Sequence, residues 1–251
     1  MEKRSETTGV ILASNSPRRI ELIRVFDLPT VGIPPEIDET CLPGEAPDAY
    51  SDRVAREKNL MIAASLDKND PRVVLSGDTV VIFNGRLFGK PADRADAVRM
   101  LSELQGKTHL VRSSVTVGRW QPDGLHFIQS VSETRVTMKA LCDEKIRSYA
   151  DSGDPIGKAG AYAIQNHDFN LIASWDGCYA GVVGFPLCHV DRLLREYSVP
   201  PVHPIENVCP YRRDGLCGLD CERVQRKMKI ERFHVKPSMD ENPDRPRFER
   251  N

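Results

Sequence analysis

The sequence predicts an α/β protein. Short apolar runs that read as buried strands alternate with segments whose apolar residues recur at helical spacing. The first run, Val10-Ile11-Leu12-Ala13, passes through Ser14-Asn15-Ser16 straight into a helix opened by Pro17, with Ser16 as the expected N-cap. Two long alternating stretches, near Thr108 to Arg119 and Leu125 to Thr137, flank the turn Gln121-Pro122-Asp123-Gly124 and read as paired strands.

The other elements follow in order. Ile20, Leu22, Ile23 and Phe26 give the first helix a buried stripe, which Pro29, Pro34 and Pro35 end. An extended stretch then carries Glu36-Ile37-Asp38-Glu39. A second helix is expected from about Pro47 to Ser65, with Val54, Leu60, Met61 and Ala64 as its apolar residues. Val73-Val74-Leu75 and Val80-Val81-Ile82-Phe83 read as strands separated by Ser76-Gly77-Asp78-Thr79. Asn84-Gly85 closes a hairpin to Arg86-Leu87-Phe88 by a type I′ turn. Helices are expected near Ala92 to Leu104 and Asp143 to Ala150. A glycine-rich stretch from Gly153 to Gly160, a strand near Leu171 to Ser174, a loop, and a helix from Leu187 to Tyr197 complete the pattern. No repeat of fixed period is present.

Composition bounds the function. With 251 residues the chain can bury a core without disulfides. An apolar share of 40% and a charged share of 28% exclude a mostly disordered chain, a collagen and a simple coiled coil. The net charge of -1 argues against a general nucleic-acid coat, and no specific nucleic-acid partner is expected. No apolar run approaches the roughly 18 residues that span a bilayer, and the polar start Met1 to Thr8 is not a signal peptide, so a cytoplasmic protein with reduced thiols is expected. From Pro200 the character changes, with seven prolines and little apolar periodicity. Lys and Arg number 11 there against 9 Asp and Glu, a balance of +2, leaving 24 against 27 before it. The expected organisation is one domain over residues 1–199 and a charged, cysteine-containing extension over 200–251.

Six segments are candidates for chemistry. Ser14 to Arg19 places free N–H groups and two guanidiniums at a helix start, which suits an anion, although an exposed arginine pair would read the same way. Asp78, beside a glycine between apolar strands, suits a metal ligand or a general base, or a plain turn aspartate. Lys90 follows the hairpin, Lys58 lies in the second helix, and Lys158 sits among small residues that permit close backbone approach. Alone, Lys58 and Lys90 read as surface charges, and Glu36-Ile37-Asp38-Glu39 as a solvated acidic run.

Together and in this order, the segments resemble the Maf family of nucleoside triphosphate pyrophosphatases. The residues that carry the resemblance are Leu12-Ala13-Ser14-x-Ser16-Pro17-Arg18-Arg19-x-Glu21-Leu22, Ala55-Arg56-x-Lys58, Gly77-Asp78-Thr79-Val80-Val81 and Gly89-Lys90-Pro91. Leu104-x-Gly106-x-Thr108-His109, Lys158-Ala159-Gly160-Ala161-Tyr162-x-Ile164-Gln165 and Val182-Val183-Gly184-x-Pro186-Leu187 complete them, over about residues 9 to 197. The resemblance implies an ITPase-like fold, with a long twisted mixed sheet flanked by helices and a cleft between two lobes. It implies metal-assisted hydrolysis of a nucleoside triphosphate to the monophosphate and pyrophosphate, with Mg²⁺ or Mn²⁺. Asp78 matches the proton acceptor and Glu39 the second acidic position, expected to pair around the metal. Lys58, Lys90, Arg18 and Arg19 match phosphate-holding positions, Ser14 a phosphate-contacting hydroxyl, and Lys158 the lysine of its motif. Arg18, Thr79 and Gln165 match the subgroup that prefers dTTP and UTP, whereas relatives favouring 7-methyl-GTP carry an acidic residue in place of Gln165.

Alternatives stay open at this point: a 7-methyl-GTP or other-base pyrophosphatase, or a nucleotide-binding regulator of septum formation with a metal-binding tail. The resemblance also admits a homodimer. Asp154 and Gly157 depart from the family pattern before Lys158, as does Cys178-Tyr179-Ala180-Gly181. In the extension, His203, Cys209, Cys217 and Cys221 form a candidate zinc or iron–sulfur ligand set, without the paired Cys-x-x-Cys knuckle of strong zinc motifs. A short helix is expected within Cys221 to Phe233, and disorder beyond Arg232.

Overall fold

The structure, a computed structural model, describes residues 9–236 and 249–250. The expectations for Met1 to Thr8 and for residues 237–248 and 251 fall outside the described residues. The strands are β1 (Val10–Ala13), β2 (Thr30–Gly32), β3 (Val73–Phe83), β4 (Arg86–Phe88), β5 (Thr108–Gln121), β6 (Gly124–Met138), β7 (Ile172–Asp176), β8 (Glu231–Val235) and β9 (Glu249–Arg250). They form one mixed sheet of order β2-β1-β3-β5-β6-β8-β9, with β4 pairing β3 and β7 pairing β6. β1 runs parallel to β2 and β3, while β3, β5 and β6 are successively antiparallel.

The sheet is covered on both faces, which explains why β1 reads as an unbroken apolar run. Side chains alternate along it, so Val10 and Leu12 enter one core while Ile11 and Ala13 enter the other. The second core is closed by α2 (Pro47–Ala64) through Leu60, Ile62 and Ala63. The first is closed by α3 (Arg94–Leu104), α4 (Asp143–Asp151) and α6 (Leu187–Glu196). α1 (Pro17–Leu22) runs on into a 3-10 turn at Ile23–Phe26.

Two local expectations need correction. Ser76-Gly77-Asp78-Thr79 is not a break between strands: β3 is continuous over 11 residues, and Asp78 pairs with Ser114 of β5. A Cβ on Gly77 would lie 2.9 Å from the Ser114 carbonyl oxygen, so the glycine that resembles a turn signal serves strand approach instead. The loop expected before α6 contains a short helix, α5 (Tyr179–Val183), whose first turn donates from Gly181 N to Cys178 Sγ at 3.3 Å.

The extension expected as a separate segment packs into the body. α7 (Ile205–Val208), α8 (Pro210–Arg213) and α9 (Cys221–Lys227) follow Pro200. Ile205, Cys209, Cys217 and Cys221 belong to the same apolar core as Val10 and Leu75. Tyr211 packs on Tyr179 at 4.7 Å, and Trp175 donates to the Leu216 carbonyl at 3.1 Å. The disorder expected beyond Arg232 is replaced by strand through Val235. β8 pairs with β6 and stacks Phe233 on Phe127 at 5.0 Å. These contacts come from single apolar residues spaced without period, so no sequence pattern announces them. Among the described residues, no helix is long and apolar enough to cross a membrane.

Candidate active site

A cleft of about 450 Å³ opens between the α1 start and the centre of β3 on one side and residues 156–165 and 182–184 on the other. Ser14, Arg18, Arg19, Glu39, Lys58, Asp78, Thr79, Lys90, Lys158 and Gln165 all line it. Every residue expected at the triphosphate site is therefore brought together, from segments up to about 150 positions apart.

Each element delivers its side chain for a local reason. Lys58 lies on the buried face of α2, at helical spacing from Val54, Ala55 and Ile62, so it enters the protein instead of solvent. Asp78 and Thr79 are neighbours in β3 and point to opposite faces. Asp78 meets Lys58, while Thr79 meets Arg19. Ser14 follows β1 directly, and its Oγ accepts from Ser16 N at 3.1 Å; the expected capping by the Ser16 side chain does not form.

Lys58 Nζ bonds Asp78 Oδ1 at 3.0 Å and Glu39 Oε1 at 2.9 Å. Glu39 Oε2 in turn meets Lys90 Nζ at 3.2 Å. The four groups form an alternating chain from the buried Asp78 to Lys90 at the exposed rim. Burial pushes the Glu39 carboxyl up, but Lys58 and Lys90 outweigh it and hold the group below its usual range. The Tyr50 hydroxyl donates to the Glu39 carbonyl at 2.7 Å and anchors this loop on α2.

The arginines are held differently. Arg18 Nε donates to the Val183 carbonyl at 3.2 Å, and Arg19 donates to the Gly184 carbonyl at 2.9 Å and to Thr79 Oγ1 at 3.1 Å. Among the described residues neither arginine forms an ion pair. Desolvation lowers both guanidinium pKa values. Five cations against two carboxylates line the cleft, a formal excess of three positive charges in a chain of net charge -1. That local excess suits a polyphosphate.

Lys158 is tied to the departure noted before it: its Nζ meets Asp154 Oδ1 at 3.1 Å and also the Asp154 carbonyl. Asp154 is further fixed by Tyr149 and by Asn166 Nδ2 at 3.2 Å. The Gln165 amide is half-buried and makes no side-chain hydrogen bond among the described residues, which leaves it for a ligand. Asp78 and Glu39 are hard oxygen donors facing the cleft, and the second Asp78 oxygen has no partner among the described residues. This set fits a magnesium- or manganese-type cation.

Sequence reasoning missed the supporting groups. The Val183 and Gly184 carbonyls aim the arginines, and Ser113 holds Thr79 at 2.8 Å while donating to the Gly181 carbonyl at 2.7 Å. The only available signal was the Val182-Val183-Gly184 motif, which names backbone positions without showing what they bind. The ligand set expected of the extension is also corrected. His203 is exposed, whereas Cys209, Cys217 and Cys221 are buried beside Cys178 and Cys188 of the body.

The family model for Maf-like protein matches residues 9–197. The chain belongs to the Maf family. A relative from Xanthomonas campestris pv. campestris named dTTP/UTP pyrophosphatase is 41% identical over 189 residues, covering 74% of this chain and 97% of its own. One of the same name from Geobacter sulfurreducens is 41% identical over 190 residues, covering 76% and 97%. The solved structure of the Staphylococcus aureus Ham1 protein is matched at TM-score 0.33 and 14% identity, over 51% of this chain and 72% of that one, too distant a likeness to inform the fold further. The matched region stops at residue 197, so the extension lies outside it.

Proposed function

We propose that this Maf-family protein hydrolyses dTTP and UTP to the nucleoside monophosphate and pyrophosphate. The carrying observation is that Asp78, bonded to Lys58, lies in one cleft with a net excess of three cations. Relatives at about 41% identity bear the name of this activity, which supports the same reading.

Asp78 acts as proton acceptor. Its carboxylate takes a proton from a water that attacks the α-phosphorus in line, and pyrophosphate leaves with the bridging oxygen. Lys58 keeps Asp78 oriented through the contact at 3.0 Å. Arg18 and Arg19, fixed through Nε, retain terminal guanidinium N–H groups for phosphate oxygens, Lys90 meets the triphosphate at the rim, and Ser14 and Lys158 complete the phosphate contacts. Asp78 and Glu39 would hold a divalent cation, which when bound neutralises polyphosphate charge. Gln165 can donate and accept at once, which suits the carbonyl and N–H edge of a pyrimidine base.

A panel of nucleoside triphosphates with Mg²⁺ or Mn²⁺ tests this reading. Pyrophosphate and monophosphate should form fastest from dTTP and UTP. No release from either pyrimidine, or a clear preference for 7-methyl-GTP, would overturn the substrate assignment.

A further inference from the structure

The triphosphate cleft leaves five cysteines unused. Of seven in the chain, Cys41 and Cys142 are exposed, while Cys178, Cys188, Cys209, Cys217 and Cys221 are buried in one core. They arrive from separate places: Cys178 precedes α5, Cys188 lies in the first turn of α6, and the other three come from the extension. The thiols meet across this junction, Cys178 with Cys217 and Cys188 with Cys221, and Cys209 lies within electrostatic reach of both pairs.

Buried cysteines often serve as small apolar residues. These sulfurs have different surroundings. Gly181 N donates to Cys178, the backbone N–H groups of Tyr179 and Leu219 to Cys217, and those of Tyr211 and Arg212 to Cys209. The Arg212 guanidinium reaches Cys221 Sγ at 4.0 Å. In each pair the facing thiol and burial push one sulfur up, Cys178 and Cys188, while Cys217 and Cys221 are held low by that same contact, towards the thiolate that ligates metal; burial pushes Cys209 up despite its donors. The two contacting pairs supply four thiols, the number taken by a structural zinc or an iron–sulfur cluster.

We propose that Cys178, Cys188, Cys217 and Cys221, with Cys209 beside them, hold a thiolate-ligated metal centre that fastens the extension to the catalytic body. The shared chemistry is soft sulfur ligation, supplied by a zinc ion or by an iron–sulfur core. No three of these sulfurs lie within 4.8 Å of one another, so a single ion would draw the pairs inward, whereas a cluster core spans a wider set. The group that does gather so closely, Asp123, His126 and His234, lies where the β5–β6 turn meets β8, with Asp123 exposed, and its histidines already bond Asp123.

The centre can be read without any nucleotide, so its failure is separable from failure of the proposed reaction. Full-length protein is purified anaerobically from cultures supplemented with zinc or with iron and sulfur. Zinc, iron and acid-labile sulfide are measured, with thiolate-to-metal charge-transfer absorption. Either about one equivalent of zinc, or iron with matching sulfide, is expected. Cys217→Ser and Cys221→Ser should each weaken metal retention about tenfold or more, while Cys41→Ser and Cys142→Ser leave it unchanged. Should the first two fail to fold, titrating wild-type protein with a mercurial should release the metal in step with thiol modification. Metal-free protein from both cultures, Cys178–Cys217 and Cys188–Cys221 disulfides in the anaerobic preparation, or retention in both serine variants would overturn the proposal.

Discussion

Asp78 shows how a single position takes its meaning from its neighbours. In isolation it reads as a turn aspartate; in β3 it faces a buried lysine across 3.0 Å. Asp78→Asn preserves the shape and the acceptor oxygen for Lys58 but removes the proton acceptor. Its kcat should fall about 10²- to 10⁴-fold with KM little changed, measured by pyrophosphate release. Gln165→Leu should instead lower kcat/KM for dTTP and UTP about tenfold, the loss of about 1.4 kcal/mol of base hydrogen bonding. It should leave metal dependence unaltered. Lys58 marks the limit of residue-level reading. Its charge suggests a surface, yet its spacing from Val54 and Ile62 places it on the buried face of α2. That spacing was visible, but weighing it required knowing that a carboxylate waited on β3.

The elements act as supports for the site. α5 ends at Gly184, whose φ of +110° is strained for any residue with a side chain, and an added Cβ would lie 3.1 Å from Thr79 Oγ1. Gly184→Ala should destabilise by about 1–3 kcal/mol and raise KM, because the Gly184 carbonyl aims Arg19. Chemical denaturation and steady-state kinetics check the two effects. β5 and α6 also carry buried histidines. Burial pushes His109 and His189 down to about 4 from a usual 6.5. His109 Nε2 meets the Tyr162 hydroxyl at 2.7 Å, and His189 Nδ1 meets Ser130 Oγ at 3.0 Å. Both are neutral when folded, whereas the unfolded chain takes up protons below pH 6.5. Their stabilising contribution is therefore complete above that pH and is lost as pH falls towards 4, by about 3 kcal/mol per histidine. Urea unfolding from pH 7 to 4 should follow this slope, and the double substitution His109→Gln, His189→Gln should flatten it. The helices α2, α3, α4 and α6 were legible because their apolar faces repeat over several turns. α5 was not, because five residues are too few for a period.

For the whole molecule, the decisive feature is the junction between body and extension. Ending the chain at Val199 would expose Trp175, Tyr179, Cys188 and the Phe127 face that Phe233 covers. Burial of one such aromatic contributes about 2–3 kcal/mol, so the thermal midpoint should fall by about 5–10 °C. Differential scanning calorimetry of the full and shortened chains measures this. The active-site cleft itself uses no extension residue, so shortened protein that stays folded should retain pyrophosphate release.

The sequence by itself determined the α/β class, the long β5–β6 hairpin, and the set of residues that meet in the cleft. These follow from periodicity, turn chemistry and several motifs in register over residues 9–197. Tertiary structure alone decided that Asp78 lies mid-strand, that Val183 and Gly184 orient the arginines, and that five cysteines from two regions share one core. The physical reason is range. Local patterns report which face of a strand or helix is apolar, whereas a backbone carbonyl's partner, or a lone aromatic's cover, depends on segments that only the closed sheet brings together.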